Sequence, residues 1–412
     1  MVSKLKELYT DNQLIHNSPI SDIYKVKPIK ESSNLTELEK KQDFLILKIV
    51  DLDFKIPPHS IKREIETIKV LQEKKKEQSN EGYIGIIEMF NNFQIVDDMI
   101  LSLKYYPFTL NQLVLNSKYS RKKIKFNSIG DMSGNSNGEY ELKNKIKVSE
   151  LREFIIKMVS SLNFIHQNQI IHRDLKMSNI FFEANDLTKP IIGDFSCCYN
   201  LNQPPEDEPL DFKYLDISSG IYKPPELLLG ITNYNFEIDY WSFGIILTIL
   251  FSLNFKSILI KDDLDLNNDS NIHDLHLLSC IFKTFGTPII EKSINNNESA
   301  GREEESQKED SKEGNNKEEA SKEDANKDDA NKEEEEDYLY WPELNNNDLH
   351  FKKFNLKIQK PLSIENILPK LIIDDSLDFN NDINDPNDIN KIKIFFKNLM
   401  RYDRNKRKMF ID

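Results

Sequence analysis

The sequence predicts an α+β protein, and three observations lead there. β-rich apolar runs gather in the first hundred residues, as in Phe44–Val50 (FLILKIV). Helical periodicity follows Ser149, where Leu151, Phe154, Ile155, Met158, Leu162 and Ile165 recur at i, i+3, i+4 spacing. Next comes Ile170–Phe182 (IIHRDLKMSNIFF), a polar loop between short apolar runs that read as brief buried strands presenting polar tips at one surface. At 412 residues the chain is long enough for a two-lobed unit with a sizeable core, or for two ordinary domains.

The polar loop carries a specific chemistry. Asp174 and Asn179 stand five residues apart with Lys176 between them, and Asp194 follows in GDFS (Gly193–Ser196). Phosphoryl transfer from ATP asks for these groups. Asp174 would accept the proton of the attacking hydroxyl and Lys176 would steady the charge on the transferring group. Asn179 and Asp194 would hold the Mg2+ ions that bridge the phosphates. A chance polar turn would explain HRD alone, but not HRD-x-K-x-x-N followed by GDF. At these residues the sequence resembles the eukaryotic protein kinases. The resemblance implies a bilobal kinase domain over 14–408, with a small β-rich N-lobe over about 14–104 and a larger helical C-lobe over about 105–408.

Taken in order, Leu14–Val26 (LIHNSPISDIYKV) and Phe44–Val50 read as the first strands of the small sheet. Lys48 is the only charge in its apolar run. Standing alone it would read as an edge-strand lysine facing solvent; in the resemblance it takes the place that pairs with the ATP phosphates. Ser60–Leu71 (SIKREIETIKVL) puts Ile61, Ile65, Ile68 and Leu71 on one helical face. Glu64, at the edge of that face, is preferred over Glu66 as the residue that turns inward to hold Lys48. The family's glycine-rich loop is missing: His16, Ser18 and Ser21 stand where the glycines would be, and Pro19 removes one N–H. Met99–Pro107 (MILSLKYYP) reads as the last N-lobe strand running into the hinge. By spacing, Leu103 would abut the adenine pocket and Lys104–Tyr106 would offer backbone groups to the base. Ile15, Ile23 and Ile46 are further apolar positions that the resemblance assigns to the nucleotide pocket.

In the C-lobe the resemblance implies supporting roles. His172 packs against Phe195, Ser219 hydrogen-bonds Asp174, Glu226 pairs with Arg407, and Asp239 secures the catalytic-loop backbone. Ser196, in place of the usual glycine, restricts switching of Phe195. The segment Asp194–Glu226 contains no Thr, which excludes activation by threonine phosphorylation there. Its middle carries Glu206, Asp207, Glu208 and Asp211. Either one of these carboxylates pairs permanently with Arg173, or all are merely solvated.

Ile221–Gly230 (IYKPPELLLG), Cys280–Pro288 (CIFKTFGTP) and Tyr402–Arg407 (YDRNKR) resemble the cyclin-dependent-kinase branch. Leu52–Glu66 and Asp216–Glu226 resemble, more narrowly, the fungal single-subunit kinases that activate cyclin-dependent kinases by phosphorylating their activation-loop threonine. This implies a monomeric serine/threonine kinase that needs no cyclin and has another kinase as its substrate. Two alternatives stay beside it: a pseudokinase scaffold, suggested by the lost glycines and Ser196, and a kinase of the same branch with a different protein substrate. A cyclin-dependent kinase itself would carry a phosphorylatable activation-loop Thr, which is absent.

Two inserts are expected, a polar loop over 116–147 and a disordered acidic stretch over 295–337. The acidic stretch repeats KEEAS-KEDAN-KDDAN-KEEEE at a period that matches neither helix nor strand. Expansion of a low-complexity repeat and an acidic arm for a basic partner both account for it. Between Glu298 and Asp337 lie 18 acidic and 7 basic residues, a net of −11 that leaves −3 for the rest of the chain. The remainder is near neutral, so no basic excess points to nucleic acid as a partner. Three cysteines with two adjacent form no disulfide or metal framework, which suggests a reducing compartment, cytoplasmic or nuclear or both. The N-terminus lacks the apolar core of a signal peptide, and the longest apolar stretch, Phe243–Phe251, is too short to span a bilayer. No membrane partner is expected.

Overall fold

The computed structural model describes residues 3–78, 82–124, 140–260, 272–290, 336–345, 357–373 and 386–410. Its small lobe is a five-stranded antiparallel sheet. The strands are β1 (Tyr9–Asn17), β2 (Asp22–Pro28), β3 (Leu45–Asp51), β4 (Met89–Ile95) and β5 (Asp98–Lys104), in the order β1-β2-β3-β5-β4. The sheet begins at Tyr9 and not at Leu14 as expected. Leu5 and Tyr9 are buried in a core with Val26, Leu45, Leu47, Ile95 and Ile100, and the Tyr9 hydroxyl donates to Glu39 Oε1 at 2.9 Å. The polar run Thr10–Gln13 hides this strand from any alternation rule.

Helix α1 (Glu37–Lys40) is closed by a reciprocal cap between Thr36 and Glu39. Helix α2 (Ile61–Glu77) starts at Ser60, whose hydroxyl accepts from the Arg63 N–H at 3.3 Å. It buries Ile61, Ile65, Ile68 and Leu71 together with Glu64. The expected apolar face is therefore the packed face, and one carboxylate travels inward with it.

The large lobe holds α3 (Leu110–Val114), α4 (Val148–Gln167), α5 (Pro225–Leu228), α6 (Glu237–Leu250) and α7 (Asp274–Phe285). The α4 stripe from Leu151 to Ile165 is buried. Helix α6 is buried on nearly every side, so the apolar run Phe243–Phe251 is a central core helix. A Cβ at Gly244 would collide with Met400 Sδ, which shows how closely the helix Pro386–Leu399 and its exit pack on α6. Among the described residues no helix is long and apolar enough to cross a membrane.

The expected polar loop over 116–147 contains regular structure. After β6 (Phe108–Thr109), strands β7 (Ser120–Ile124) and β8 (Tyr140–Asn144) pair as an antiparallel hairpin. Tyr119, Ser120, Asn144 and Ile146 are buried, and Asn144 Nδ2 donates to Leu250 O at 2.8 Å and Ser252 O at 2.7 Å. Charged strands anchored by isolated residues carry no hydrophobic period, which is why the hairpin escaped sequence reasoning. Residues 125–139 lie outside the described residues, as does the acidic stretch up to 335. At its far end Asp337 is anchored: it pairs with Arg401, and with Lys406 at 2.6 Å.

Candidate active site

Short strands frame the polar loop. β9 (Ile170–Ile171), β10 (Ile180–Phe182), β11 (Ile191–Ile192) and β12 (Tyr199–Asn200) assemble as β11-β10-β6 and as β12-β9. Their buried isoleucines and Phe182 hold the ends of the loop, and the polar residues between them converge. Asp239, at the start of α6, takes the N–H groups of His172 and Arg173, each at 2.9 Å, and meets His166 Nε2 at 2.8 Å. Burial pushes the Asp239 carboxyl up, but the bonds from His166 and from the His172 backbone outweigh it and hold it below the usual carboxylate range. Arg173 and Asp194 both adopt positive φ, 68° and 62°. Non-glycine residues seldom do so, and here the surrounding bonds over-determine the conformation.

Asp174 lies at the centre of one cluster. Its Oδ1 accepts from Ser219 Oγ at 2.7 Å, Lys176 Nζ is 3.2 Å from its Oδ2, and Lys176 also donates to Ser219 Oγ at 2.9 Å. Asn179 Nδ2 donates to the Asp174 backbone oxygen at 2.8 Å and to its Oδ2 at 3.1 Å. The amide nitrogen is thus spent inside the loop, and Asn179 Oδ1 is the atom left to face a cation.

A second cluster joins the lobes. Lys48 Nζ lies 2.9 and 2.8 Å from the two Glu64 oxygens and 2.9 Å from Asp194 Oδ1. Burial works against the Lys48 charge, yet Asp194 and Glu64 outweigh it and hold the amine well above the usual lysine range. Burial likewise pushes Asp194 up, and it is outweighed by Lys48 and by the hydrogen bond from Ser196, so this carboxyl stays ionised far into acid. The donor set fits Mg2+: a carboxylate of Asp194 and an amide oxygen of Asn179 are hard oxygen ligands. Being only two, they leave the remaining positions to phosphate oxygens and water.

The other expected residues fall as follows. The His172 ring stands 5.1 Å from the Phe195 ring, and its Nε2 is 3.0 Å from Gly193 O. Glu226 and Arg407 form a wholly buried bidentate pair at 2.5 and 2.9 Å. Ile23 lies opposite Lys48, and Ile46 opposite Leu103, in the sheet register. Ile15 sits at a bulge in β1 and is half exposed. Tyr106 packs its ring 6.1 Å from Phe181 within the core, so its side chain is structural and only its backbone can serve a hinge. The β1–β2 turn, where the glycines are lost, is closed on itself. Ser18 Oγ accepts from the N–H groups of Ile20 at 3.3 Å and Ser21 at 3.1 Å, and the Ser18 N–H donates to Ser21 O.

Of the four acids in the middle of the 194–226 segment, Glu208 alone is buried, and it meets Arg173 through both guanidinium nitrogens, at 3.2 Å for Nη2. Three residues were not singled out from sequence. Arg63 reaches Glu208 and Cys198 O, and His59 meets Ser196 and Cys197. Both lie at or near the start of α2, beside the stretch already flagged around Glu64. Tyr234 Oη accepts from Arg173 at 3.1 Å, and nothing local in the sequence announces that contact.

This pairing of a buried lysine–glutamate–aspartate trio with an aspartate–lysine–asparagine loop, seated between a five-stranded sheet and a helical lobe, defines a protein kinase. The family profile for the protein kinase domain matches residues 55–409, and the chain belongs to that family. It is a serine/threonine protein kinase, and ATP with a divalent metal is implied by the domain. It is 31% identical to serine/threonine-protein kinase CAK1 of Saccharomyces cerevisiae over 270 residues, 61% of this chain and 71% of that one. It is 32% identical to CTD kinase subunit alpha of the same yeast over 146 residues, 35% of this chain and 24% of that one. It is also 28% identical to dual specificity tyrosine-phosphorylation-regulated kinase 3 of Homo sapiens over 186 residues, 45% of this chain and 26% of that one. The matches to these last two span about a quarter of each relative's length.

Proposed function

We propose that this kinase transfers the γ-phosphoryl group of Mg-ATP to the activation-loop threonine of a cyclin-dependent kinase, acting as a monomer without a cyclin. The Asp174–Lys176–Asn179 loop facing the Lys48–Glu64–Asp194 trio is the observation that carries the chemistry. The likeness to serine/threonine-protein kinase CAK1, with the resemblance in Leu52–Glu66 and Asp216–Glu226, supports the substrate.

In this reading Asp174 accepts the proton of the threonine hydroxyl as its oxygen attacks the γ-phosphorus, and the bond to the β-phosphate oxygen breaks in line. Ser219 orients the Asp174 carboxylate, and Lys176 supplies positive charge beside the transferring group. Lys48, held by Glu64, pairs with the phosphates of bound ATP. Asn179 Oδ1 and the Asp194 carboxylate would hold Mg2+, which when bound neutralises charge on the β- and γ-phosphates. Because the β1–β2 turn spends its N–H groups internally, Lys48, the hinge backbone and the metal ligands hold the nucleotide.

The test is incubation with Mg-ATP and an unphosphorylated, cyclin-free cyclin-dependent kinase, with phosphosite mapping by mass spectrometry. Phosphate on the activation-loop threonine, absent with Asp174→Asn, supports the reading. Transfer to a generic basic protein but not to that threonine would discard this substrate.

A further inference from the structure

Helix α2 is stitched to the segment after Asp194 along one edge. The Ser60 N–H donates to Ser196 O at 3.0 Å, His59 Nδ1 lies 3.2 Å from both Ser196 Oγ and Cys197 Sγ, and Thr67 Oγ1 is 3.2 Å from Cys198 Sγ. Arg63 Nη1 donates to Cys198 O at 3.1 Å and meets Glu208 Oε2 at 3.4 Å. Glu208 is the endpoint of this seam. Its carboxylate takes both Arg173 nitrogens, Arg63, and the Tyr214 N–H at 2.9 Å, while the Tyr199 hydroxyl donates to its backbone oxygen at 2.8 Å. Arg173 and Glu208 are both fully buried.

We infer that Glu208 is a positioning residue that does permanently what an added phosphate would do between two arginines. It joins Arg173 of the catalytic loop to Arg63 of α2, and so keeps Glu64 beside Lys48 in the protein as synthesised. A phosphate between these guanidinium groups would make the same charge-assisted bidentate bonds. Without Glu208, one buried and one half-buried cation would face each other uncompensated, and the edge carrying Glu64 would lose its tether. Arg63 and Glu64 are consecutive on α2, so the pull on one sets the position of the other.

The inference rests on the kinase reading and not on the identity of the protein substrate, so transfer is assayed on a generic basic protein. Wild type, Glu208→Gln, Arg63→Ala and the double variant are compared by turnover and by amide hydrogen exchange across α2. Glu208→Gln keeps the volume of the side chain, and a thermal melt shows that each variant is folded. Each single variant is expected to lose at least about tenfold in turnover, about 1.4 kcal/mol of barrier. The double variant should lose no more than the worse single, because both act through one link. Exchange at Glu64–Leu71 should rise in all three. Folded variants with turnover within about twofold of wild type, or a double variant whose loss is the product of the singles, would overturn it. So would unchanged exchange in α2, a readout that stands even if no protein substrate is phosphorylated.

Discussion

Asp174 is held by three contacts that do not require its charge: Ser219 donates to its side chain, Asn179 donates to its backbone oxygen, and its own N–H donates to His172 Nδ1. Asp174→Asn is therefore expected to leave the melting temperature nearly unchanged and to lower turnover by about a hundred- to ten-thousand-fold, the usual worth of a general base. Near-normal turnover would remove the base assignment. The thiols make a separate prediction at the same scale. Burial pushes the Cys198 thiol up to about 11 and raises Cys197 and Cys280 as well. All three are buried and protonated at neutral pH. A disulfide reagent at pH 8 is expected to label the native kinase slowly and all three thiols quickly in denaturant; a fast native phase would show that one of them is exposed. That Asp174, Lys176 and Asn179 would stand together was legible in advance, because kinase chemistry places such residue types at short spacing. Glu208 was legible only as one of four acids. Choosing it needed burial, which depends on where the chain turns.

At the scale of elements, the β1–β2 hairpin carries His16, Ser18 and Ser21 where the resemblance expects glycines. Ser18 serves as the internal acceptor that glycines leave to the phosphates. Ser18→Ala removes one hydroxyl that satisfies two N–H groups in a partly exposed turn, so water can replace it. The KM for ATP is expected to change by less than about threefold, under ~0.7 kcal/mol. A tenfold rise would mean that this hydroxyl takes part in nucleotide binding. Helix α2 shows the opposite balance. Its apolar face was visible in the 3.6-residue period, whereas the seam from His59 to Thr67 consists of polar residues that no period marks. The β7–β8 hairpin was missed for a related reason: its strands are charged, and it is anchored by Asn144 reaching Leu250 and Ser252, more than a hundred positions away.

Across the whole molecule, two long-range connections decide how the large lobe closes. Glu226 and Arg407, 181 residues apart, are wholly buried together, and Arg407 also donates to Arg401 O and Glu237 O. Removing one partner strands the other in the core, so Glu226→Ala is expected to cost ~3–5 kcal/mol in denaturant unfolding. A loss below about 1 kcal/mol would show that the freed guanidinium finds other partners or water. The described residues on either side of the acidic stretch meet. Ile289 bridges Tyr340 in parallel, and the Trp341 N–H donates to Ile289 O at 2.9 Å. Ile289 and Tyr340, which flank the stretch, are already side by side, so exchanging residues 295–335 for a short Gly-Ser linker is expected to move the melting temperature by less than about 3 °C, because closing a shorter loop costs less entropy. A larger fall would assign the stretch a folding role.

The sequence by itself determined the class of chemistry, the set of residues proposed as base and metal ligands, the Lys48–Glu64 partnership and the absence of a phosphorylatable threonine in the 194–226 segment. Those properties depend on residue identity at short spacing and on helical period, which one dimension records. The tertiary structure decided which carboxylate closes on Arg173, that Arg63 shares it, where the first strand begins, and that the β1–β2 turn is closed on itself. Each of these depends on burial and on contacts between residues tens of positions apart or on side-chain bonds within a turn. Only the folded chain brings such groups to hydrogen-bonding distance and removes the water that would otherwise compete for them.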